Sequence, residues 1–439
     1  MTLAFPARTG AALAAAALLL PFAAACSSGT DGGTPSGPAP ASGGPSADDG
    51  AIGTDFTAKG IVITADCRAE KDGTKARVSL TGWRPDTAKP VAEVSFALPE
   101  HAQFMDRKGP ATALQDLCLH NNPQSAGSNP TTHLMPRLRQ LFDRDYQRLA
   151  VTVRDPQTGG SHVGHVDRAG KYTDLTAKAP GAAGVPAEQD ALFAPDGRSL
   201  WFTVPGKEPR DPVRIASRAA DTGALAERAT APLPSARTQD APQLWLVGDK
   251  PSALLAFRVS VSPDGTRAVG ANDPTRNGFR LWDFSAASPT YGTRTEGTAD
   301  VPKIADTPFG DALSEDACVP WRMLDGHRVL CTSDPLPVMI DPRKVHNFWI
   351  LDVDKVAASG RYDAAASGQP ILTQLAAADE PDLLAVSPDG GQLLYRTAKS
   401  QNYRLFVAPT TPDSTPKELA GSTMAGVLAE PTIAVLEWR

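Results

Sequence analysis

Patterns that mark several common enzyme and metal-binding classes are missing from this sequence of 439 residues. It has 5 cysteines but no Cys-x-x-Cys pair, which argues against a structural zinc site. No Gly-x-Ser-x-Gly phrase marks a hydrolase nucleophile, and no EF-hand spacing marks a calcium loop. The 43 lysines and arginines form no basic cluster, so nucleic acid is not an expected partner. We therefore predict no cofactor, no metal ion and no catalytic residue from motifs.

An apolar stretch near the start of the chain indicates export. It is too short to cross a bilayer, is interrupted by Pro21 and ends at Cys26. Residues 1–25 are therefore predicted to be a lipoprotein signal, with Cys26 as the lipidated first residue of the mature chain. Ala23 departs from the leucine usual at its position. The alternative is ordinary signal cleavage and free secretion.

The segment after this signal is predicted to be a tether. Residues 26–55 consist mainly of Gly, Pro, Ser, Thr and Asp and have almost no large apolar side chains, so they cannot form a core. As a flexible coil they would span on the order of 30 Å. Residues 56–439 are then one soluble domain, held at the extracytoplasmic face of a membrane by the lipid.

A repeated phrase defines the fold of this domain. It occurs as Ala194-Pro195-Asp196-Gly197, Ser262-Pro263-Asp264-Gly265 and Ser387-Pro388-Asp389-Gly390. Proline presets φ at the second turn position, aspartate caps the turn and glycine takes its left-handed residue. Each copy lies between apolar, strand-like runs, which predicts a β-hairpin.

Two weaker copies extend the repeat around Asp145 and Asp325. The turn aspartates then lie 51, 68, 61 and 64 residues apart. A third apolar run follows each hairpin and a shorter fourth run often follows that, so each unit has four strands, as a β-propeller blade does. Another hairpin is predicted around residues 71–73, and residues 432–438 form a last strand that completes the first sheet. Six blades fit this count, and seven fit if residues 85–135, which look mostly like a long loop, contain another.

The hairpin phrase followed by an aromatic and aliphatic strand resembles the repeat of TolB-like propellers over residues 137–423. This resemblance implies a β-propeller fold. The resemblance says little about function, because peptidase propellers, lyases and binding proteins all carry the phrase. The amino-terminal α/β domain of TolB itself has no counterpart in this sequence.

Four cysteines remain after Cys26, and an even number in an exported chain predicts two disulfides. We favour the sequence-local pairs, Cys67 with Cys118 and Cys318 with Cys331. Other pairings and free thiols stay open as alternatives.

The second of these pairs requires an irregular hairpin. A simple hairpin that pairs Met323 with His327 leaves Cys318 one residue out of register with Cys331. A one-residue bulge corrects this register, and Pro320 is its predicted cause, because proline cannot donate a ladder hydrogen bond.

Two local groups of polar residues are candidate sites. Residues 162–167, His-Val-Gly-His-Val-Asp, hold two histidines, but residues three apart on a strand point to opposite faces and do not share one metal. Ser161 beside His162 is an adjacent pair with no predicted geometry of a catalytic dyad. The acidic phrase at residues 351–354 allows a calcium site, but alternation along a strand and solvation are sufficient explanations for it.

Other conspicuous residues are predicted to be structural. The turn aspartates Asp196, Asp264 and Asp389 recur at equivalent positions, whereas a catalytic group is needed once, so we expect them to accept N–H bonds within their own turns. Four tryptophans are expected in strands and packed between blades, with sugar stacking as the minority alternative: Trp201, Trp282, Trp321 and Trp349.

Two classes of function follow. The first is a non-catalytic binding or assembly module for an envelope protein, peptide or glycan, with partner contacts on loops at one propeller face. The second is a hydrolase or lyase with its site at the central channel. The insert at residues 231–257, with Leu244-Trp245-Leu246 between proline-rich flanks, is a candidate binding loop, and an extra strand is its equal alternative.

Overall fold

The computed structural model describes much of the chain after residue 51. The described residues are 52–69, 76–103, 118, 138–178, 186–194, 196–204, 213–231, 243–247, 250–254, 259–262, 264, 267–273, 276–283, 303–308, 319–332, 348–355, 368–372, 380–399, 402–430 and 433–439. They all belong to one compact unit, Gly50–Arg439. The predicted signal and most of the tether, with Pro195, Pro263, Gly265 and Cys318, lie outside them. Within the described ranges, no helix has both the length and the apolar character needed to cross a membrane.

Strands dominate the described residues. The first half of the unit contains β1 (Val62–Ala69), β2 (Ala76–Arg84), β3 (Lys89–Ala97), β4 (Ala102–Gln103), β5 (Arg148–Arg154), β6 (Ser161–Asp167), β7 (Tyr172–Asp174), β8 (Gln189–Phe193), β9 (Ser199–Val204), β10 (Val213–Ala219), β11 (Leu225–Ala231), β12 (Gln243–Val247) and β13 (Lys250–Leu254). The second half contains β14 (Val259–Val261), β15 (Arg267–Asp273), β16 (Arg276–Asp283), β17 (Lys303–Pro308), β18 (Val319–Met323), β19 (Arg328–Thr332), β20 (Phe348–Asp352), β21 (Gly368–Pro370), β22 (Glu380–Val386), β23 (Gln392–Lys399), β24 (Asn402–Pro409), β25 (Lys417–Glu418) and β26 (Ile433–Trp438). The helices whose full ranges lie among the described residues are short: a 3-10 helix (Leu138–Leu141), α1 (Leu175–Lys178) and α2 (Thr423–Leu428).

These strands form sheets of four. Within the described residues there are six such sheets, in the orders β26-β1-β2-β3, β4-β5-β6-β7, β8-β9-β10-β11, β14-β15-β16-β17, β18-β19-β20-β21 and β22-β23-β24-β25. We number them one to six in this order. Neighbouring strands are antiparallel, and consecutive sheets use consecutive parts of the chain. This is the architecture of a β-propeller, as the repeated hairpins predict.

The repeated turns define one end of each sheet, which we call the turn end; the opposite end is the loop end. Gly197 and Gly390 have φ of 69° and 71°, the left-handed conformation that the Asp-Gly turns predict. In the second sheet the corresponding turn has Tyr146 at φ 55°. A left-handed tyrosine is costly, so the packing around Tyr146 must stabilise it.

The chain termini of the unit meet in the first sheet. The last strand, β26, pairs antiparallel with β1, from Val62 opposite Trp438 to Asp66 opposite Ile433. The hairpin predicted around residues 71–73 is present as β1 and β2, paired from Val62 to Ala69. The first sheet therefore takes its innermost strand from the end of the chain and the other three from its beginning.

The prediction that residues 85–135 are mostly loop is wrong for its first part. β3 completes the first sheet and β4 begins the second, so this part does not form an additional blade. Pro90 lies in β3, the outer strand of its sheet, where a missing N–H costs little. Residues 104–117 and 119–137 lie outside the described residues.

The hairpin of β18 and β19 has a bulge, but its register differs from the prediction. Met323 pairs with Val329, not with His327, because the turn holds four residues between the strands. The register shifts between Pro320 and Arg322, which is where the sequence predicts the bulge. Pro320 then lies opposite Cys331.

The cysteines follow the favoured pairing as far as it is described. Cys67 on β1 is bonded to Cys118, with their Cα atoms 5.9 Å apart, and both residues are fully buried. Cys331 is also disulfide-bonded. Since Cys318 lies outside the described residues, the second pair stays a prediction.

Apolar side chains fill the spaces between neighbouring sheets. One core cluster joins the first three sheets through residues such as Phe96, Phe142 and Trp201. Another joins the sixth sheet to the first, with Leu394 packed in the same cluster as Trp438. Burial of each such side chain stabilises the fold by about 1.5–3 kcal/mol. The core therefore lies between the sheets and packs them against one another.

Candidate functional site

The turn aspartates are bonded within their own turns. Asp196 accepts from the backbone N–H of Arg198 at 2.9 Å, and Asp389 accepts from that of Gly391 at 3.0 Å. Ser387 donates to Asp389 at 2.6 Å, and Ser262 donates to Asp264 at 2.5 Å. Their oxygens are thus engaged in holding the turns, the duty that their repetition predicts.

The structure does not bring the two histidines of β6 together. His162 lies 2.9 Å through Nδ1 from a carboxylate oxygen of Asp174, and both side chains are about a quarter exposed. His165 is buried and its Nε2 lies 3.2 Å from the Ala220 carbonyl oxygen. Burial lowers the pKa of His165, although the Ala220 contact opposes this, so its imidazole is neutral at pH 7. Asp167 accepts from the backbone N–H groups of its own turn.

Ser161 does not form a dyad with His162. Its backbone pairs instead with Pro186 and Glu188, the segment that leads to the third sheet. Strand alternation places neighbouring side chains on opposite faces. The pair is therefore part of a connection between sheets.

The acidic phrase at the end of β20 connects two sheets. Asp354 accepts from Arg267 of the fourth sheet at 2.7 Å and lies 2.5 Å from His327 Nδ1 in the fifth. Asp352 accepts from the backbone N–H groups of Asp354 and Lys355. In the part of the chain that the structure describes, no three His, Cys, Asp or Glu side chains are placed to hold a metal ion.

Arginines link the turn ends of neighbouring sheets. Arg148 at the start of β5 donates to the carbonyl of Gly197 in the third sheet at 2.7 Å. Arg267, at the equivalent position of β15, donates to the carbonyl of Gly326 in the fifth sheet at 2.9 Å. Both arginines come three residues after their turn aspartates. The turn end is therefore a surface whose groups bind neighbouring sheets to each other.

An ion cluster, which we call the C-terminal clasp, consists of Arg139, Tyr146, Glu437 and Arg439. Glu437 accepts from Arg139 Nε at 2.8 Å and from Arg439 Nε at 2.6 Å. Both guanidinium carbons lie over the Tyr146 ring, 4.5 and 5.2 Å from its centroid. Sequence reasoning missed this cluster because Arg139 and Glu437 are 298 residues apart.

The charges of the clasp are stable near neutral pH. Burial raises the pKa of Glu437, but Arg139 and Arg439 outweigh burial and leave that pKa below its ordinary value. Burial also raises the pKa of the Tyr146 phenol well above its ordinary value, so the ring stays neutral. The clasp thus joins the last strand to the second sheet, and the cation contacts stabilise the left-handed Tyr146.

A second buried ion pair joins the second and third sheets. Arg218 is fully buried and donates to Glu188 through Nε at 3.0 Å and through Nη2 at 2.5 Å. Thr176 donates to the same carboxylate at 2.6 Å, and Arg218 donates to the Gly223 carbonyl. The buried carboxylate and guanidinium therefore bond to each other and to further groups of the chain, which offsets the cost of burying the two charges.

The loop end differs from the turn end in its connections. In the third to sixth sheets, the first and second strands are joined at the turn end by 4 or 5 residues: 194–198, 262–266, 324–327 and 387–391. In the second sheet the 44 residues 104–147 join β4 to β5. Second and third strands are joined at the loop end by 2 to 15 residues: 70–75, 155–160, 205–212, 274–275, 333–347 and 400–401. Third and fourth strands are joined at the turn end by 4 to 19 residues. Connections therefore vary in length at both ends, while the turns between first and second strands in the third to sixth sheets are short and nearly uniform.

The insert predicted as a binding loop contains a β-hairpin. β12 pairs antiparallel with β13, with Trp245 opposite Ser252, and no other described strand hydrogen-bonds with either. β11 ends and β14 begins at the loop end of its sheet, so the insert starts and finishes there. This hairpin is the candidate binding element, and Asp155–Gly160 is a described loop at the loop end of the second sheet.

The tryptophans named from the sequence all lie in strands, on β9, β16, β18 and β20. Trp201 is almost fully buried in the cluster that joins the first three sheets, and Trp321 packs against the cluster of the fifth and sixth. This is a packing role for both residues.

Comparisons with known proteins show likeness of fold only. No family model matches the chain, and no match was found among curated proteins. Solved structures with β-propellers do match. The β-propeller domain of a trilobed protease from Pyrococcus furiosus is 9% identical, covering 82% of this chain and 81% of that one, at a TM-score of 0.33.

Two further matches are enzymes. An oligogalacturonate lyase from Vibrio parahaemolyticus is 11% identical, covering 64% of this chain and 65% of that one, at a TM-score of 0.33. An acylaminoacyl peptidase from Pyrococcus horikoshii is 9% identical, covering 83% of this chain and 50% of that one, at a TM-score of 0.32. Likenesses this distant do not distinguish a binding protein from an enzyme.

Proposed function

We propose that this protein is a membrane-tethered, extracytoplasmic β-propeller that binds an envelope protein, peptide or glycan without catalysis. The observation that carries the proposal is the hairpin of β12 and β13, an addition to the four-stranded sheets that starts and finishes at the loop end. At the turn end, the turns between first and second strands in the third to sixth sheets have 4 or 5 residues, and those of the third and fifth sheets accept bonds from neighbouring sheets. At the loop end the inner connections vary in length, and one long insert adds a hairpin. Variable loops on a rigid scaffold are the usual site of recognition.

The proposal includes a ring of six blades, closed by the last strand, with TolB-like repeats. Two observations support closure: β26 pairs with β1, and the sixth sheet packs against the first. A closed ring removes the free sheet edges that otherwise promote aggregation. The proposal also includes a lipid anchor at Cys26, which the pattern of the amino-terminal sequence supports. Free secretion is the alternative.

The binding surface is tested by substitution in the hairpin. Trp245→Ser should lower the yield of partners chemically cross-linked to the anchored protein in intact envelopes, because aromatic side chains dominate most interfaces. The matched control is Leu225→Ser, which replaces an exposed apolar residue at the turn end. Both variants must keep the melting temperature of the wild type. Equal cross-linking in both variants would count against the hairpin as the site.

The alternative is a propeller hydrolase or lyase with its site at the central channel. The observation in its favour is the pairing of histidine with carboxylate at His162–Asp174 and His327–Asp354. Purified protein would then cleave a peptide or polysaccharide, and His162→Ala or His327→Ala would abolish the cleavage. Turnover lost in one of these variants, with its fold intact, would replace the binding proposal.

A further inference from the structure

A histidine lies buried between the second and third sheets. His165 on β6 is 8% exposed. Its Nε2 lies 3.2 Å from the carbonyl oxygen of Ala220, which directly follows β10, and its ring centroid lies 6.2 Å from that of Phe193 on β8. Ala220 and Phe193 belong to the apolar cluster that also contains Ala150, the residue opposite His165 on β5. The imidazole is therefore part of the packing that holds these two sheets together.

The two ring nitrogens of His165 have different surroundings. A carbonyl oxygen only accepts, so Nε2 carries the proton and donates a hydrogen bond to Ala220. Within the described residues, Nδ1 is buried and has no hydrogen-bond partner. A neutral imidazole leaves only a lone pair unsatisfied at this position. A second proton would place a donor and a positive charge there without an acceptor, which is far more costly.

Nearby positive charges also oppose this second proton. Arg148 on β5 has its guanidinium carbon 5.2 Å from the centroid of the same Phe193 ring. Lys178 at the end of α1 donates to the carbonyl of Asp221 in the turn after β10. Burial is the main cause that lowers the pKa of His165, the bond to the backbone carbonyl raises it, and the charges of Arg148 and Lys178 lower it further.

The negative groups nearby are bonded to other partners. Asp143, which lies before β5, accepts from Arg148 Nε at 2.9 Å. Its charge raises the pKa of His165, but this influence is smaller than that of burial or of either cation. The Asp221 carboxylate lies 3.3 Å from Arg148 Nη1, and its side chain is 90% exposed. Another charged pair between these sheets is bonded internally: Arg218 with Glu188.

We infer that His165 is an acid-sensitive switch at the contact between the second and third sheets. When Nδ1 takes up a proton from water, the charged ring is stable only where water reaches it, so the contact with Ala220 and Phe193 opens. The bond from Arg148 to the Gly197 carbonyl joins the same two sheets, and neither group titrates between about pH 5 and pH 8, so the opening is local. This inference does not depend on the proposed binding function.

The direction of the pH dependence follows from burial. The folded pKa of His165 lies below the ordinary histidine value of 6.5. The stability that the neutral side chain contributes is therefore present above the unfolded pKa of 6.5, and it is lost as pH falls from there toward the folded pKa. In the opened contact the imidazole has its ordinary pKa, so about nine-tenths of it is charged at about pH 5.5, and the opening equilibrium rises up to about ten-fold.

The test compares backbone hydrogen–deuterium exchange of the full chain at about pH 7.5 and about pH 5.5, after correction for intrinsic exchange rates. In the wild type, protection of β6 and β10 should fall about five- to ten-fold on acidification, because the contact opens. Protection of β23 and β24 in the sixth sheet should stay constant.

Two substitutions assign the effect to one side chain. His165→Gln should abolish the fall in protection, because the amide donates to the Ala220 carbonyl but takes no proton. His162→Gln is the matched control, since His162 lies on the same strand, faces the other way and is 2.9 Å from a carboxylate oxygen of Asp174. This variant should keep the wild-type response. His165→Asn is a second variant that does not titrate, for use if His165→Gln fails to fold.

Three results would overturn the switch. The same loss of protection in a folded His165 variant as in the wild type would mean that another group senses the acid. Constant protection of β6 and β10 in the wild type would mean that the contact does not open. An equal loss in the sixth sheet would mean that acid acts on the whole unit and not on this contact, and this comparison needs no variant.

Discussion

At the scale of single residues, backbone conformation and ion pairing determine which residues contribute most to the stability of the fold. Gly390 has a positive φ and lies so close to the neighbouring sheet that an added Cβ would be 3.3 Å from Leu324 Cδ2. Tyr146 has a similar φ in the second sheet without being glycine. The aromatic ring lies under two guanidinium groups, and this packing offsets the backbone cost that glycine avoids.

Gly390→Ala should lower the free energy of unfolding by about 1–2 kcal/mol, because an L side chain is strained at this φ. Gly426→Ala is the matched control, since Gly426 lies within α2 with nothing near its Cβ position. It should be neutral or stabilise by up to about 1 kcal/mol. Urea denaturation of the two variants measures the difference, and equal stability would contradict the turn assignment.

Glu437→Gln should destabilise the protein by about 2 kcal/mol at pH 7, because the clasp loses its anion. The folded pKa of Glu437 is lowered, so its contribution is present above the unfolded value of 4.5 and is lost as pH falls through the folded pKa. The stability gap between wild type and variant should therefore narrow below pH 4.5. Denaturation curves at several pH values measure this gap.

Glu93→Gln serves as the control for the clasp, since Glu93 is an exposed glutamate on the outer strand of the first sheet. Its stability should match the wild type within about 0.5 kcal/mol at every pH. A constant gap for Glu437→Gln down to pH 3 would mean that the carboxylate charge is not what the clasp uses.

At the scale of elements, the unit of stability is a pair of neighbouring sheets. Each sheet has hydrogen bonds between its own strands, while apolar clusters and arginine bonds hold it to the next. Arg148 shows both kinds of contact: it donates to Asp143 at 2.9 Å and its guanidinium carbon lies 5.2 Å from the Phe193 ring centroid. One side chain thus contacts two turns and an aromatic ring.

Arg148→Ala should lower the free energy of unfolding by about 1–3 kcal/mol, because Asp143 and the Gly197 carbonyl lose their donor. Arg154→Ala, at the exposed loop end of the same strand, should change it by less than about 0.5 kcal/mol. Thermal unfolding by circular dichroism compares the two. A similar loss of stability in both variants would show that the bond from Arg148 to Gly197 does not stabilise the fold.

At the scale of the whole molecule, the two ends of the sheets have different duties. The turn end receives the chain and carries inter-sheet bonds, while the loop end carries the hairpin insert.

Cys26→Ala should move the protein from the membrane fraction to the soluble or secreted fraction, since a single thiol carries the predicted lipid. Fractionation with immunoblotting measures the distribution, and the Gly426→Ala variant, with Cys26 intact, should stay in the membrane fraction. Wild-type protein found wholly in the supernatant with an unmodified amino terminus would contradict the anchor and support free secretion.

Local chemistry determined much of this protein in advance. The repeated turn phrase predicts hairpins, φ signs and four-stranded sheets, because proline, aspartate and glycine act within a few residues of each other. The local disulfide of Cys67 and Cys118 was also accessible from the sequence. The register of β18 and β19 was not predicted correctly from the sequence. The turn has four residues and β18 has a bulge, and both features affect which residues pair.

Only the tertiary structure decided which distant residues meet. The C-terminal clasp, the Arg218–Glu188 pair and the bond from Arg168 to Thr54 join positions far apart in the chain, and no spacing rule predicts them. The tertiary structure also decided which connections lie at the turn end and which at the loop end. Strand pairing sets the direction of each strand, and this direction places the connection that follows it. Turn chemistry is short-ranged and is written in the sequence, whereas the contacts between sheets arise only when packing brings them together.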